Sequence, residues 1–371
     1  MENNFICQIG LTMINGIGDV LARHLLEALG SAEAIFSASP RLLEKIPGIG
    51  GKHIAEIRRP EVLRLAEKEA AFTEKHRIKT FFITEPDYPA RLRECQDAPV
   101  MIYFKGNADL NASRMISIVG TRKSTPYGRA LTETLIHDLS AIYPDLLIIS
   151  GLAYGVDIQA HRSALEANLP TVAVLAHGLD IIYPSTHRDT AKSMLDRGGL
   201  LTDYPSGINP DRQNFVRRNR IVAGLSEATV VIESAAKGGS LITADIAFSY
   251  GRDVLTFPGR TTDEQSKGCN ALIRQNKAAL ITSAEDLINA LCWENPKQPK
   301  KAPVQIPISF PEDSVYQKVV SHFQGEKELH INELARLAEI PVYELSSILF
   351  DLEMEGVLKI LPGGMYKLAC S

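Results

Sequence analysis

Over the first sixty positions apolar residues recur at helical spacing, interrupted by two similar turns. "INGIGDVLARHLLEALG" (residues 14–30) and "IPGIGGKHIAEIRR" (residues 46–59) each set Gly-Ile-Gly ahead of a helical pattern, and Gly16 and Gly48 lie 32 residues apart. Two glycines around one apolar residue form a tight turn, and the next helix begins with free backbone N–H groups. The pattern predicts tandem helix-hairpin-helix elements in a helical domain over residues 1–78. From Thr80 to Trp293 the period changes: the apolar runs "MISIV", "LLIIS", "TVAVLA", "GLLTD", "ATVVIE", "DVLTF" and "ALIT" alternate with helical stretches such as 128–142 and 240–250. Continuously apolar strands separated by helices predict a doubly wound, mostly parallel α/β sheet over residues 79–293, with "TFFIT" and "VMIYF" as edge strands or a short lead-in. Residues 294–313 carry five prolines and three lysines and read as a semi-rigid linker. Residues 314–371 give three helical patterns and then "KILPGGMYKLA", a hairpin turning at Pro362-Gly363-Gly364, which together predict a winged-helix-like domain.

Charge changes the reading of the two small domains. The formal net charge is -4, but residues 311–371 hold five Lys/Arg against ten Asp/Glu (5 - 10 = -5), which leaves the rest at +1. Between Pro341 and Gly356 there is no Lys or Arg, while Glu344, Asp351, Glu353 and Glu355 are present. A recognition helix with that charge is repelled by phosphates, so a protein-contact or structural role is expected for the tail. The hairpins are not strongly basic either, with Asp19 after the first and Lys52 after the second. They either take a DNA phosphate at a helix start or only pack.

In an open α/β sheet, ligands bind beyond the carboxyl ends of the strands. The loops there are rich in small residues: Gly120-Thr121-Arg122-Lys123 after "MISIV", Ser150-Gly151 after "LLII", and Lys237-Gly238-Gly239-Ser240 after "ATVVIE". Glycine lets the backbone approach an anion, and each helix start adds N–H donors and partial positive charge. The first loop is not Gly-x-Gly-x-x-Gly, and no Walker P-loop occurs. Arg122 can fork two hydrogen bonds onto a phosphate, which Lys123 cannot. Residues 211–228 add Arg212, Arg217, Arg218 and Arg220 around Phe215, Asn214 and Asn219. Cations that track a backbone, with a ring that stacks on a base, suit single-stranded nucleic acid.

Other chemistry is thin. The five cysteines (Cys7, Cys95, Cys269, Cys292, Cys370) are scattered, so no metal site or cofactor is expected and a reducing compartment is. No signal-like N-terminus and no apolar run of roughly 18 residues is found, which leads to an expectation of a cytoplasmic protein without a membrane span. Asp157, His161, His177 and His187 read as a helix cap and satisfied histidines rather than as catalytic groups.

"VGTRKSTPYGRA", "SGLAYGVDIQAHRSALE", "VLAHGLDIIYPSTH", "NFVRRNRIVAGLSEATVVIESAAKGGSLITA", "FPG" and "KGCNALI" resemble, in order, the DprA (Smf) family of DNA-processing proteins. The resemblance implies an extended Rossmann-like domain that binds single-stranded DNA. It also implies a non-catalytic homodimer that protects incoming DNA and loads RecA recombinase in natural transformation. Carried over by motif, Gly120, Thr121 and Arg122 sit in a phosphate pocket with Ser150 and Gly151. Arg218 and Arg220 hold backbone, Phe215 lies against a base, and Lys237, Gly238, Gly239 and Ser240 close the pocket. Val216 stands where many members have Pro. The competing class is a nucleoside-monophosphate phosphoribohydrolase, whose Pro-Gly-Gly-x-Gly-Thr-x-x-Glu signature is altered here to "KGGSLITAD", with Asp245 at the Glu position. A nucleotide-sensing domain remains a third reading, on fold alone.

Overall fold

The computed structural model describes residues 2–294, 315–323, 328–361 and 364–369. The chain divides into two compact units, Met1–Asn295 and Pro296–Ser371. The expected linker lies almost wholly outside the described residues, as do Pro362 and Gly363 of the expected hairpin turn.

The first unit is built on nine strands: β1 (Lys79–Phe82), β2 (Met101–Gly106), β3 (Met115–Val119), β4 (Leu147–Ser150), β5 (Thr171–Val174), β6 (Gly199–Thr202), β7 (Ala228–Val231), β8 (Asp253–Thr256) and β9 (Ala279–Leu280). Their order is β1-β2-β6-β5-β4-β3-β7-β8-β9. From β6 to β9 every pairing is parallel, while β2 runs antiparallel to both β1 and β6. "TFFIT" and "VMIYF" therefore form an antiparallel edge. The chain runs outward from β3 in one direction through β4, β5 and β6, then returns to β7 on its other side. That reversal is the topological switch point, where such sheets leave a crevice.

The strands are apolar on both faces because both faces are covered. Along β3, Met115 and Val119 belong to one core cluster, Ile116 and Ile118 to another, the period-two alternation of a strand. Ser117 is the polar exception, and it is satisfied: its hydroxyl lies 2.8 Å from that of Thr229 on β7. The second cluster is closed by the helices Pro126–Ser140, Val156–Glu166 and Ala284–Ala290. The first runs on into the N-terminal helices, through Leu25, Ile35, Leu43 and Ile57. The boundary expected at residue 78 is thus not a gap in the packing. The helical region and the sheet share one core, and this unites residues that the sequence pattern separates.

The second unit holds the helices Val315–Ser321, Ile331–Ala338 and Val342–Met354 and a small antiparallel sheet. Its strands β10 (Leu329–His330), β11 (Leu358–Leu361) and β12 (Met365–Leu368) lie in the order β10-β12-β11. Val319, Phe323, Leu334, Leu345, Leu349 and Leu352 form its core.

Candidate nucleic-acid interface

At the switch point the loops after β3, β4 and β7 meet the first turns of the helix Arg212–Leu225 around a cavity of about 720 Å³. Of the residues singled out from sequence, Gly120, Thr121, Arg122, Gly151, Phe215, Arg218, Lys237, Gly238, Gly239 and Ser240 line it.

Local rules bring them there. The Thr121 N–H donates to the Glu233 carbonyl at 2.8 Å, and the Val156 N–H to the Thr121 carbonyl at 3.2 Å, which ties the three loops together. A Cβ on Gly120 would collide with Val156, so only glycine permits that approach. Gly155, at φ +79, lets the second loop turn into its helix against the Thr121 carbonyl. The helix Pro126–Ser140 starts on Thr125, whose hydroxyl accepts from the Gly128 N–H and donates to the buried Glu233 carboxylate at 2.5 Å. Asp211 caps the helix Arg212–Leu225 by accepting from the Gln213 N–H at 2.8 Å. Gly238 and Gly239 open the helix Gly239–Ser249 at the cavity wall, where first-turn N–H groups lack intrahelical partners and the helix dipole favours an anion.

Phe215 occupies the centre. The Arg122 guanidinium carbon lies 5.4 Å from its ring centroid and that of Arg218 5.8 Å, both within cation–π reach. Tyr183 stands beside it with ring centroids 5.9 Å apart, tilted by 53° and half exposed. Arg218 is buried and anchored: its guanidinium donates to the Gly151 carbonyl at 2.8 Å and to the Val174 carbonyl. Below it lies Asp157, whose carboxyl burial pushes toward the neutral form while Arg218, the Ala153 N–H and Arg122 pull the other way. His161, deeper still, is held neutral, its pKa pushed down to about 3 by burial and then by Arg218 and His187. The lining therefore carries Arg122, Arg212, Arg218 and Lys237 against the single carboxylate of Asp157, a positive recess with an aromatic floor.

Five of the residues singled out stand elsewhere. Lys123 is exposed beyond the rim, where its N–H donates to the Thr121 hydroxyl at 3.1 Å. Ser150 is fully buried, its hydroxyl donating to the Ile118 carbonyl at 2.6 Å, so it braces β4 against β3. Asn214 donates to the Asn209 carbonyl at 3.3 Å and braces the turn before its helix. Arg217 points to the other side of that helix, 3.5 Å from Asp19. Arg220 is the clearest correction to the expectation of a backbone-holding residue. It is 7% exposed and lies 2.9 Å from the Asp19 carboxylate and 2.7 Å from that of Asp203, with a further bond to the Asp97 carbonyl. Flanked by two carboxylates, it stays charged and locks the first hairpin to the sheet. Conversely, Tyr183, Arg212 and Asn219 line the cavity although they were not assigned to it. Tyr183 gave little signal, being one aromatic before a proline in the long loop after β5.

The family model for DNA recombination-mediator protein A matches residues 79–292, more than half of the chain. The chain belongs to the DprA family. A SAM-like helix-hairpin-helix tandem matches residues 9–59 and a DprA winged-helix domain residues 299–364, which bears out both small domains by type. Protein Smf of Synechocystis is 31% identical over 96% of either chain. The DNA processing protein DprA of Streptococcus pneumoniae is 37% identical over 58% of this chain and 75% of its own. The solved structure of the latter superposes with a TM-score of 0.63 at 31% identity, covering 76% of this chain and 97% of that one. A DprA from Helicobacter pylori, described for its single-stranded DNA binding mode, gives 0.52 at 29% identity over 58% and 95%. DprA proteins are DNA-processing proteins by name. The enzyme signature finds no support in the geometry: Asp245, at the position of the hydrolase Glu, lies off the cavity and is ion-paired to Lys277 at 2.6 Å. Among the described residues no helix is long and apolar enough to cross a membrane, and no group of His, Cys, Asp and Glu could hold a metal.

Proposed function

We propose that this DprA-family protein binds single-stranded DNA in the cavity at the switch point. The observation that carries the reading is the Phe215 ring set between Arg122 and Arg218, with Tyr183 beside it, in a recess of four cations. Rings stack only on bases that are free of a partner strand, while the cations and the Gly238–Ser240 helix start follow the phosphates. The name of the Helicobacter pylori relative points the same way. Arg122 is the phosphate ligand: it is exposed, forked, and leaves Phe215 for an oxygen at the cost of one cation–π contact. The same proposal includes the family role: a cytoplasmic, non-catalytic homodimer that protects incoming DNA and passes it to RecA during transformation or recombination.

Arg122→Ala is expected to weaken binding of all single-stranded sequences alike and to reduce the slope of log affinity against log salt by about one. Fluorescence anisotropy at a series of salt concentrations reads both quantities. An Arg122→Ala protein with wild-type affinity and slope removes Arg122 from the phosphate site.

A further inference from the structure

A second cavity, of about 900 Å³, opens between the first helical hairpin and the sheet. Ile14 and Ile17 are buried in its wall, while Leu65, Lys68, Ile208 and Arg217 stand exposed or half-exposed around it. Three carboxylates also belong to the wall, but each is already engaged. Asp19 and Asp203 share Arg220, and Glu69 accepts from the Ser206 N–H at 3.0 Å and from the Ser206 hydroxyl. The groups free to meet a ligand are an apolar surface and two cations at its edge.

Two chain segments join this cavity to the first. Arg217 sits between Val216 and Arg218, which both line the switch-point cavity, and Ile208 is two residues from Pro210, which does the same. Two residues of extended chain span at most about 7 Å, so the two recesses form one continuous surface along the helix Arg212–Leu225. The start of the helix Asp19–Leu29, where a helix-hairpin-helix would take a phosphate, is closed. Asp19 occupies its first turn, paired with Arg220 and accepting from the Val100 N–H at 3.1 Å.

We infer that the second cavity is a nucleotide subsite. A single strand leaving the first cavity sets an unstacked base against Ile14, Ile17 and Leu65, and its phosphate meets Arg217 and Lys68. The first hairpin thus touches DNA through an apolar wall, not through its helix start. The inference rests on the single-strand reading above. The near-neutral wall suits a base, whereas the row of phosphates of a duplex would meet Asp19, Glu69 and Asp203.

The test is a Leu65→Ser/Lys68→Ala double variant titrated with oligothymidylates lengthened one nucleotide at a time. Both side chains are exposed, so the fold is unaffected, and binding of the shortest oligonucleotides serves as the control. Wild-type affinity is expected to step up at the length that reaches the second cavity. The variant should lose that step, roughly fivefold to a hundredfold at longer lengths, while binding the shortest oligonucleotides as before. The same length dependence in both proteins overturns the subsite and leaves the first cavity standing. A wild-type protein that binds none of the oligonucleotides overturns both.

Discussion

Gly151 shows how tightly the cavity is built. A Cβ there would lie 2.6 Å from both the Arg218 guanidinium and the Asp157 carboxylate. Both side chains are buried and cannot step aside. Gly151→Ala is therefore expected to cost about 1–3 kcal/mol of stability through overpacking, and to shift Arg218 off the Gly151 and Val174 carbonyls that hold it. Urea unfolding and single-strand binding should both report a loss, and a variant that matches wild type in both refutes this role. The same scale explains what sequence could not sort. Arg217, Arg218 and Arg220 look equivalent in "VRRNR", yet a helix turns about 100° per residue. Arg218 and Arg220, two residues apart, must face opposite sides. Arg218 supports Phe215 and Arg220 supports the fold.

Among the elements, the helix Arg212–Leu225 is the hub. Its N-terminal turns line both cavities, its Arg220 ties the first hairpin to the sheet, and its C-terminal half is core. Removing that guanidinium leaves Asp19 and Asp203 close together without a counter-charge, and breaking a buried ion network in this way costs about 3–5 kcal/mol. Arg220→Ala should lower the thermal midpoint markedly while leaving the salt slope of any DNA binding near wild type, since no phosphate contact is lost. A variant with normal stability and a flattened slope would return Arg220 to the DNA. The strands and the glycine loops were legible because each announces itself locally, by an apolar run or by a small-residue turn. Tyr183 and the Asp19–Arg220–Asp203 network were not, because they depend on segments that meet only in three dimensions.

Across the whole molecule, the parallel sheet, the tandem hairpins and the winged helix were all readable by type, and the sequence resemblance led to the DprA family. The shared core of the hairpins and the sheet was not readable, because an apolar helix face does not name its partner. That core fixes the first hairpin beside the sheet, so both cavities belong to one rigid unit, Met1–Asn295. The tail is acidic as a whole, and its helix Val342–Met354 exposes Tyr343, Phe350 and Met354, a surface unsuited to phosphates. The most direct measurement of the central claim is equilibrium binding by the full chain. A labelled single strand of mixed sequence and the matching duplex would be titrated side by side at several salt concentrations. The account predicts preference for the single strand, with log affinity falling linearly in log salt by about 0.7 per phosphate neutralised. Preference for the duplex, or no binding even at low salt, would contradict it.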